Sequence, residues 1–181
     1  MNALILLADG FETVEALQSA DIFVRSHKIR VTLCSIHDHP LVRSSQNYGV
    51  LADTLLSEID PKDFDFLVLP GGKLGVENLR NSDAVIALIH RFFELGKDVH
   101  AICAAPSILG ELGYLDNLDY TCFPGFERGK GRYHDVGAVE TPHIITGHSM
   151  GYTMEFAKAI VAHYFGEEGV NAILPGMMGI R

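Results

Sequence analysis

The segment Ala3-Leu4-Ile5-Leu6-Leu7-Ala8 is an unbroken apolar run, closed by Asp9-Gly10. A strand covered on one face alternates apolar and polar residues, whereas a strand covered on both faces needs no polar position. Such strands belong to parallel sheets sandwiched between helices, and the rest of the chain follows that pattern. Val14, Leu17, Asp21 and Val24 recur every three or four residues and predict a helix from about Glu12 to His27. Arg30 to Ile36 is a β-branched second strand. His37 to Gly49 is polar and turn-rich, with a small hairpin ending near Val50-Leu51. Phe64 to Leu69 reads as a strand stopped by Pro70-Gly71-Gly72. Val85, Leu88, Ile89 and Phe92 form the stripe of a helix over Asp83 to Leu95, ended by Gly96.

Val99 to Ile102 is a short apolar strand leading directly into Cys103. A helix start follows at Ala105 to Gly110, with Pro106 in the first turn, where its missing N–H costs nothing. Tyr120 to Phe123 and Ile144 to Thr146 read as strands. Phe156, Ala157, Ile160, Val161 and Tyr164 mark a last helix over Gly151 to Phe165. Strands alternating with helices predict an α/β sandwich: a mainly parallel sheet with helices on both faces. With 181 residues and no repeat, linker or low-complexity tract, the expectation is one domain over residues 1–181.

Composition narrows the function. A net charge of −9 without any basic stripe argues against a nucleic-acid surface. The N-terminal apolar run is too short for a membrane span and lacks the basic flank of a signal peptide. Cys34, Cys103 and Cys122 are the only cysteines, with no CxxC spacing, and the nine histidines are scattered. Neither a disulfide framework nor a metal site is expected, and a reducing, cytoplasmic setting is.

Ligands of open parallel sheets bind beyond the carboxyl ends of the strands. Three segments converge there: Asp9 to Glu15, Pro70-Gly71-Gly72 and Cys103-Ala104-Ala105-Pro106. The last has the form strand–Cys–small–small–Pro–helix, which suits a nucleophile elbow because a tight turn has no room for bulk. A helix N-terminus stabilises an anion, so the expectation is a thiolate at Cys103 with a lowered pKa. The same residue also reads as a buried cysteine packing as a small hydrophobe, the reading that fits Cys34 and Cys122. Gly71-Gly72 lets backbone N–H groups approach a ligand, and one of them with the N–H of Ala104 would form an oxyanion hole; an ordinary strand-ending turn is the alternative. Glu12 and Glu15 suit the positive end of the first helix. Glu15 falls on the same sheet edge as Cys103, where a carboxylic acid would exchange protons with a thiolate.

Taken together, LLADGFETVEAL, LVLPGGKLGVENL, AICAAP, TCFPG and GYTMEFAKAIV, in this order, resemble the ThiJ/PfpI superfamily. Within it the chain is most similar to the branch of the Parkinson's-disease-associated protein deglycase and its bacterial relatives. The resemblance implies a flavodoxin-like fold and a homodimer. It implies Cys103 as the reactive cysteine, Glu15 as a protonated glutamate, and Gly72 and Ala104 as backbone oxyanion donors. Arg25 falls, more loosely, near a position tied to dimer contact and pocket. Two departures set the sub-branch. The peptidase branch has a His directly after the nucleophile, where this chain has Ala104, and some deglycase relatives have a His where this chain has Phe123. No Cys–His dyad is visible, which argues against a protease. His148 stands where human-type relatives carry Arg, and His100, three residues before Cys103 on a strand, reads as structural.

The function implied is glutathione-independent turnover of α-oxoaldehydes such as methylglyoxal, or repair of early glycation adducts, with no cofactor or metal. A redox-responsive thiol sensor or chaperone is the alternative of a different class.

Overall fold

The computed structural model describes residues 1–179. Its strands are β1 (Asn2–Leu7), β2 (Arg30–Ser35), β3 (Leu41–Arg43), β4 (Gly49–Leu51), β5 (Thr54–Leu55), β6 (Phe66–Leu69), β7 (Asp98–Ile102), β8 (Asp119–Tyr120), β9 (Arg132–Tyr133), β10 (Ala138–Thr141) and β11 (Ile144–Gly147). The α-helices are α1 (Thr13–Arg25), α2 (Lys73–Arg80), α3 (Asp83–Glu94), α4 (Pro106–Glu111) and α5 (Thr153–Met178). Seven strands form one sheet in the order β10-β11-β7-β6-β1-β2-β5. Every neighbouring pair is parallel except β10 against β11. The run β2-β1-β6-β7-β11 has the flavodoxin-like order, which reverses beside β1 and opens a crevice at the carboxyl end.

The opening apolar run shows why both faces must be covered. Successive side chains of a strand point to opposite faces. Leu4 and Leu6 enter a core with Val76 and Leu79 of α2, Val85 and Phe92 of α3, and Ile108 of α4. Ala3, Ile5 and Leu7 enter the other core with Ile22 and Phe23 of α1 and Phe156 and Ile160 of α5. All five strand residues are fully buried. Each fully buried Leu or Ile contributes on the order of 1.5–3 kcal/mol, so a polar residue here would cost stability on whichever face it met.

The sheet, its helix layers and the hairpin of β3 with β4 match the pattern read from sequence. Three elements differ. Tyr120 to Phe123 is not a strand of the main sheet: only Asp119–Tyr120 pairs, and with β9. Thr121 instead donates its N–H to the Thr146 hydroxyl at 2.9 Å, and Phe123 donates to the Cys103 carbonyl at 2.7 Å. The last helix does not stop at Phe165. It breaks at Gly166 (φ 64°, ψ −173°) and resumes, burying Val170 and Ile173 in the α1 core. Gly169, Pro175 and Gly176 hide that second half from a periodicity reading. Helix α2 is short and has no long apolar stripe, so the sequence reading passes over it. Among the described residues, no helix is long and apolar enough to cross a membrane, and no group of three or more His, Cys, Asp or Glu is placed to hold a metal ion.

Candidate active site

Strand β7 ends at Ile102, and the chain turns sharply at Cys103, whose φ is 65°. A left-handed conformation costs a non-glycine residue about 1–3 kcal/mol and persists only where its surroundings hold it. Three backbone bonds do so. Cys103 N–H donates to Gly147 O at 2.9 Å, Phe123 N–H to Cys103 O at 2.7 Å, and Ala105 N–H to Ile102 O at 3.1 Å. The Ser107 hydroxyl donates to the Ala104 carbonyl at 2.6 Å and accepts from Arg80 at 2.7 Å, tying α2 to the elbow. The turn lifts the thiol out of the sheet, so Cys103 is partly exposed between buried neighbours.

The first turn of α1 supplies Glu15, a fully buried carboxyl. Gly71 donates its backbone N–H to Glu15 Oε2 at 2.7 Å. The second oxygen, Oε1, is buried without a hydrogen-bond partner, and the Cys103 thiol packs beside the carboxyl against Gly71. Gly71 makes this possible, because a Cβ there would overlap Glu15 Oε2 and lie 2.6 Å from Cys103 Cβ. Gly72 holds a φ of 91° and precedes the first residue of α2. Its N–H and that of Ala104 act on the thiol in the direction that favours its anion.

Burial pushes the Glu15 carboxyl up to about 7, against the hydrogen bonds from Cys103 and Gly71 that favour its ionised form. The Cys103 thiol is raised too, first by burial and then by the charge of Glu15 and its hydrogen bond. This corrects the expectation of a lowered thiol pKa. Helix α4 begins only at Pro106 and has six residues, and the Gly72 and Ala104 N–H groups do not outweigh an adjacent carboxylate in a desiccated site. The two groups therefore titrate as a pair. The Glu15 carboxyl gives up its proton near neutrality, and the thiol beside it holds its own proton more tightly than an ordinary cysteine.

Above this pair opens a cavity of about 430 Å³. Glu15, Gly72, Cys103 and Ala104 line it together, joined by Glu12 and Lys73. Phe123, Phe126 and Met150 supply apolar lining, and Ser149 and Gly151 complete it. The sequence reading missed Lys73, Phe126 and the 149–151 turn. That turn follows the last parallel strand, the one signal that could have marked it. His148 does not line the cavity; its Nε2 lies 3.1 Å from an Asp135 carboxylate oxygen. Arg25 is not in that lining and pairs with Asp21 at 2.5 Å in the last turn of α1. Cys34 and Cys122 are buried, with thiols pushed up to about 12 by burial. His100 is structural, as expected. Burial pushes it down to about 3, its Nδ1 accepts from the Ile145 N–H, and Nε2 pairs with the Tyr164 hydroxyl.

Gly71→Ala is expected to destabilise the fold by about 1–3 kcal/mol through overpacking and to separate Glu15 from Cys103. Thermal unfolding and thiol alkylation rates read both effects; wild-type values for the two would contradict the packing described.

A strained cysteine at a strand-to-helix turn, set beside a buried carboxyl at the carboxyl edge of this sheet, defines a flavodoxin-like α/β protein with a nucleophile elbow. Residues 1–163 match the DJ-1/PfpI family, and the chain belongs to it. It is 34% identical to Protein DJ-1alpha of Drosophila melanogaster, over 98% of this chain and 83% of that protein. It is 28% identical to the glutathione-independent glyoxalase DJR-1.2 of Caenorhabditis elegans, over 96% of this chain and 94% of that one. It is 36% identical to Deglycase TK1284 of Thermococcus kodakarensis, over 64% of this chain and 68% of that protein. The crystal structure of the DJ-1 superfamily protein STM1931 from Salmonella typhimurium superposes with a TM-score of 0.91 at 32% identity, covering 98% of this chain and 97% of that one.

Proposed function

We propose that this protein is a cysteine enzyme that converts reactive α-oxoaldehydes to 2-hydroxy acids, methylglyoxal to lactate, without glutathione. The observation that carries this reading is Cys103 set beside the buried Glu15 carboxyl in the lining of one cavity. Relatives named as a glutathione-independent glyoxalase and as a deglycase support it.

Cys103 sulfur bonds to the aldehyde carbon as the C=O π bond opens, and the pair's remaining proton passes to the alkoxide. The N–H groups of Gly72 and Ala104, which line the cavity beside Cys103, would serve as donors to the developing charge. Glu15, now ionised, removes the hydrogen from that carbon as a proton to leave an enediolate, the hydroxyl proton moves from the first oxygen to the second, and Glu15 returns its proton to the neighbouring carbon. The first carbon is thereby oxidised to a thioester and the second reduced to a secondary alcohol, so no external redox partner is needed. Water then cleaves the thioester, releasing the 2-hydroxy acid and the thiol. Early glycation adducts present the same thiol–carbonyl chemistry, which supports a deglycase role for the same pair. Three free cysteines support a reducing cytoplasmic setting, and the family resemblance supports a homodimer of one-domain chains.

Methylglyoxal consumption without metal or glutathione, with lactate quantified, tests the reading. Many equivalents of lactate per chain are expected. Consumption that stops near one equivalent would replace the enzyme reading by the redox-responsive thiol.

A further inference from the structure

We infer that the cavity selects α-oxoaldehydes whose second substituent is aryl or branched aliphatic over three-carbon methylglyoxal, with Phe123, Phe126 and Met150 as its specificity-determining wall. The inference rests on the oxoaldehyde reading and names the substrate class within it. At about 430 Å³, the cavity falls in the range of pockets that enclose drug-sized ligands, far beyond what a three-carbon aldehyde fills.

The lining tells what the remaining space accepts. Cys103 and Glu15 supply the reacting groups, and the side chains of Phe123, Phe126 and Met150 add an apolar surface to the same lining. Phe123 is 44% exposed and Met150 50% exposed, so both present large apolar surfaces that a substrate would cover. The Phe123 and Phe126 rings stand edge to face, with centroids 6.3 Å apart. A substrate ring or branched chain meeting them gains burial, and an aryl ring also gains aromatic geometry.

The wall is fixed relative to the nucleophile. Phe123 N–H donates to the Cys103 carbonyl, and Phe126 N–H donates to the Phe123 carbonyl at 3.0 Å. The lining also disfavours an anionic substituent. Lys73 is its one cation, and Glu12 and Glu15 line the same space.

Two probe pairs test this. In turnover, phenylglyoxal is expected to exceed methylglyoxal in kcat/KM by roughly tenfold or more, the scale on which an apolar pocket separates substrates by size. In the double variant Phe123→Ala, Met150→Ala, that ratio is expected to fall severalfold. Independently of turnover, iodoacetanilide is expected to alkylate Cys103 faster than iodoacetamide, after correction by the same pair of rates on free glutathione. The double variant loses that advantage. Turnover of both aldehydes with no preference overturns the inference and leaves the proposed function standing. If neither aldehyde turns over, the oxoaldehyde function fails and the substrate class named here fails with it; the alkylation ratio then reads only whether the wall favours apolar groups.

Discussion

Cys103→Ser lowers oxoaldehyde turnover at least about a thousandfold, the scale of removing a nucleophile from a catalytic unit, while the protein stays folded. Serine fits the same space and keeps the backbone bonds that hold φ at 65°, because those run through the main chain of Gly147, Ile102 and Phe123. Its hydroxyl is a far weaker nucleophile than a thiol and holds its proton far more tightly. Cys34 and Cys122 offer no substitute, since both are buried in the core. Steady-state lactate production and near-wild-type thermal unfolding check the two halves together. A folded variant retaining a tenth of the activity would move the reaction away from the elbow.

The position of that cysteine is legible in the sequence because it follows from local rules. A short apolar strand, two alanines and a first-turn proline leave few conformations for residue 103. The opening run Ala3 to Ala8 likewise announces its two-sided burial, and Gly71-Gly72 announces a turn at the same sheet edge. What remains hidden depends on distant atoms. Glu15 is recognisable as a first-turn acid, but its complete burial comes from the approach of Gly71, which lies 56 residues away. The direction in which the thiol pKa moves is misread for the same reason: a helix-terminus argument sees the residues after Cys103 and omits the burial of the thiol and the carboxylate packed beside it. Phe126 and Met150 reach the cavity along loops whose paths no periodicity encodes. Tyr120 to Phe123 looks like a strand because its residues favour one, yet the Phe123 N–H is taken by the Cys103 carbonyl.

Glu15→Gln separates the carboxyl's role in catalysis from its effect on stability. Glutamine keeps an oxygen for the Gly71 N–H and cannot accept a proton, so turnover is expected to fall about a hundredfold or more, the scale of a lost general acid–base group. The kcat/KM inflection near pH 7, where the pair gives up its first proton, disappears. Stability moves the other way at high pH. In the unfolded chain Glu15 titrates near 4.5 and in the folded protein near 7, so between those values the native state holds a proton that the unfolded state has released. The resulting stabilisation is fully present below pH 4.5 and is lost as pH rises through 7. The total is roughly 3 kcal/mol, since each tenfold difference in proton affinity between the folded and unfolded states is worth about 1.4 kcal/mol. Glutamine carries no such dependence. Wild type minus variant, read from urea unfolding, is therefore expected to drop by roughly that amount between pH 4.5 and 8. A difference that stays flat over this range would mean that Glu15 ionises as an ordinary surface carboxylate, and the neutral-range inflection in kcat/KM would be gone with it.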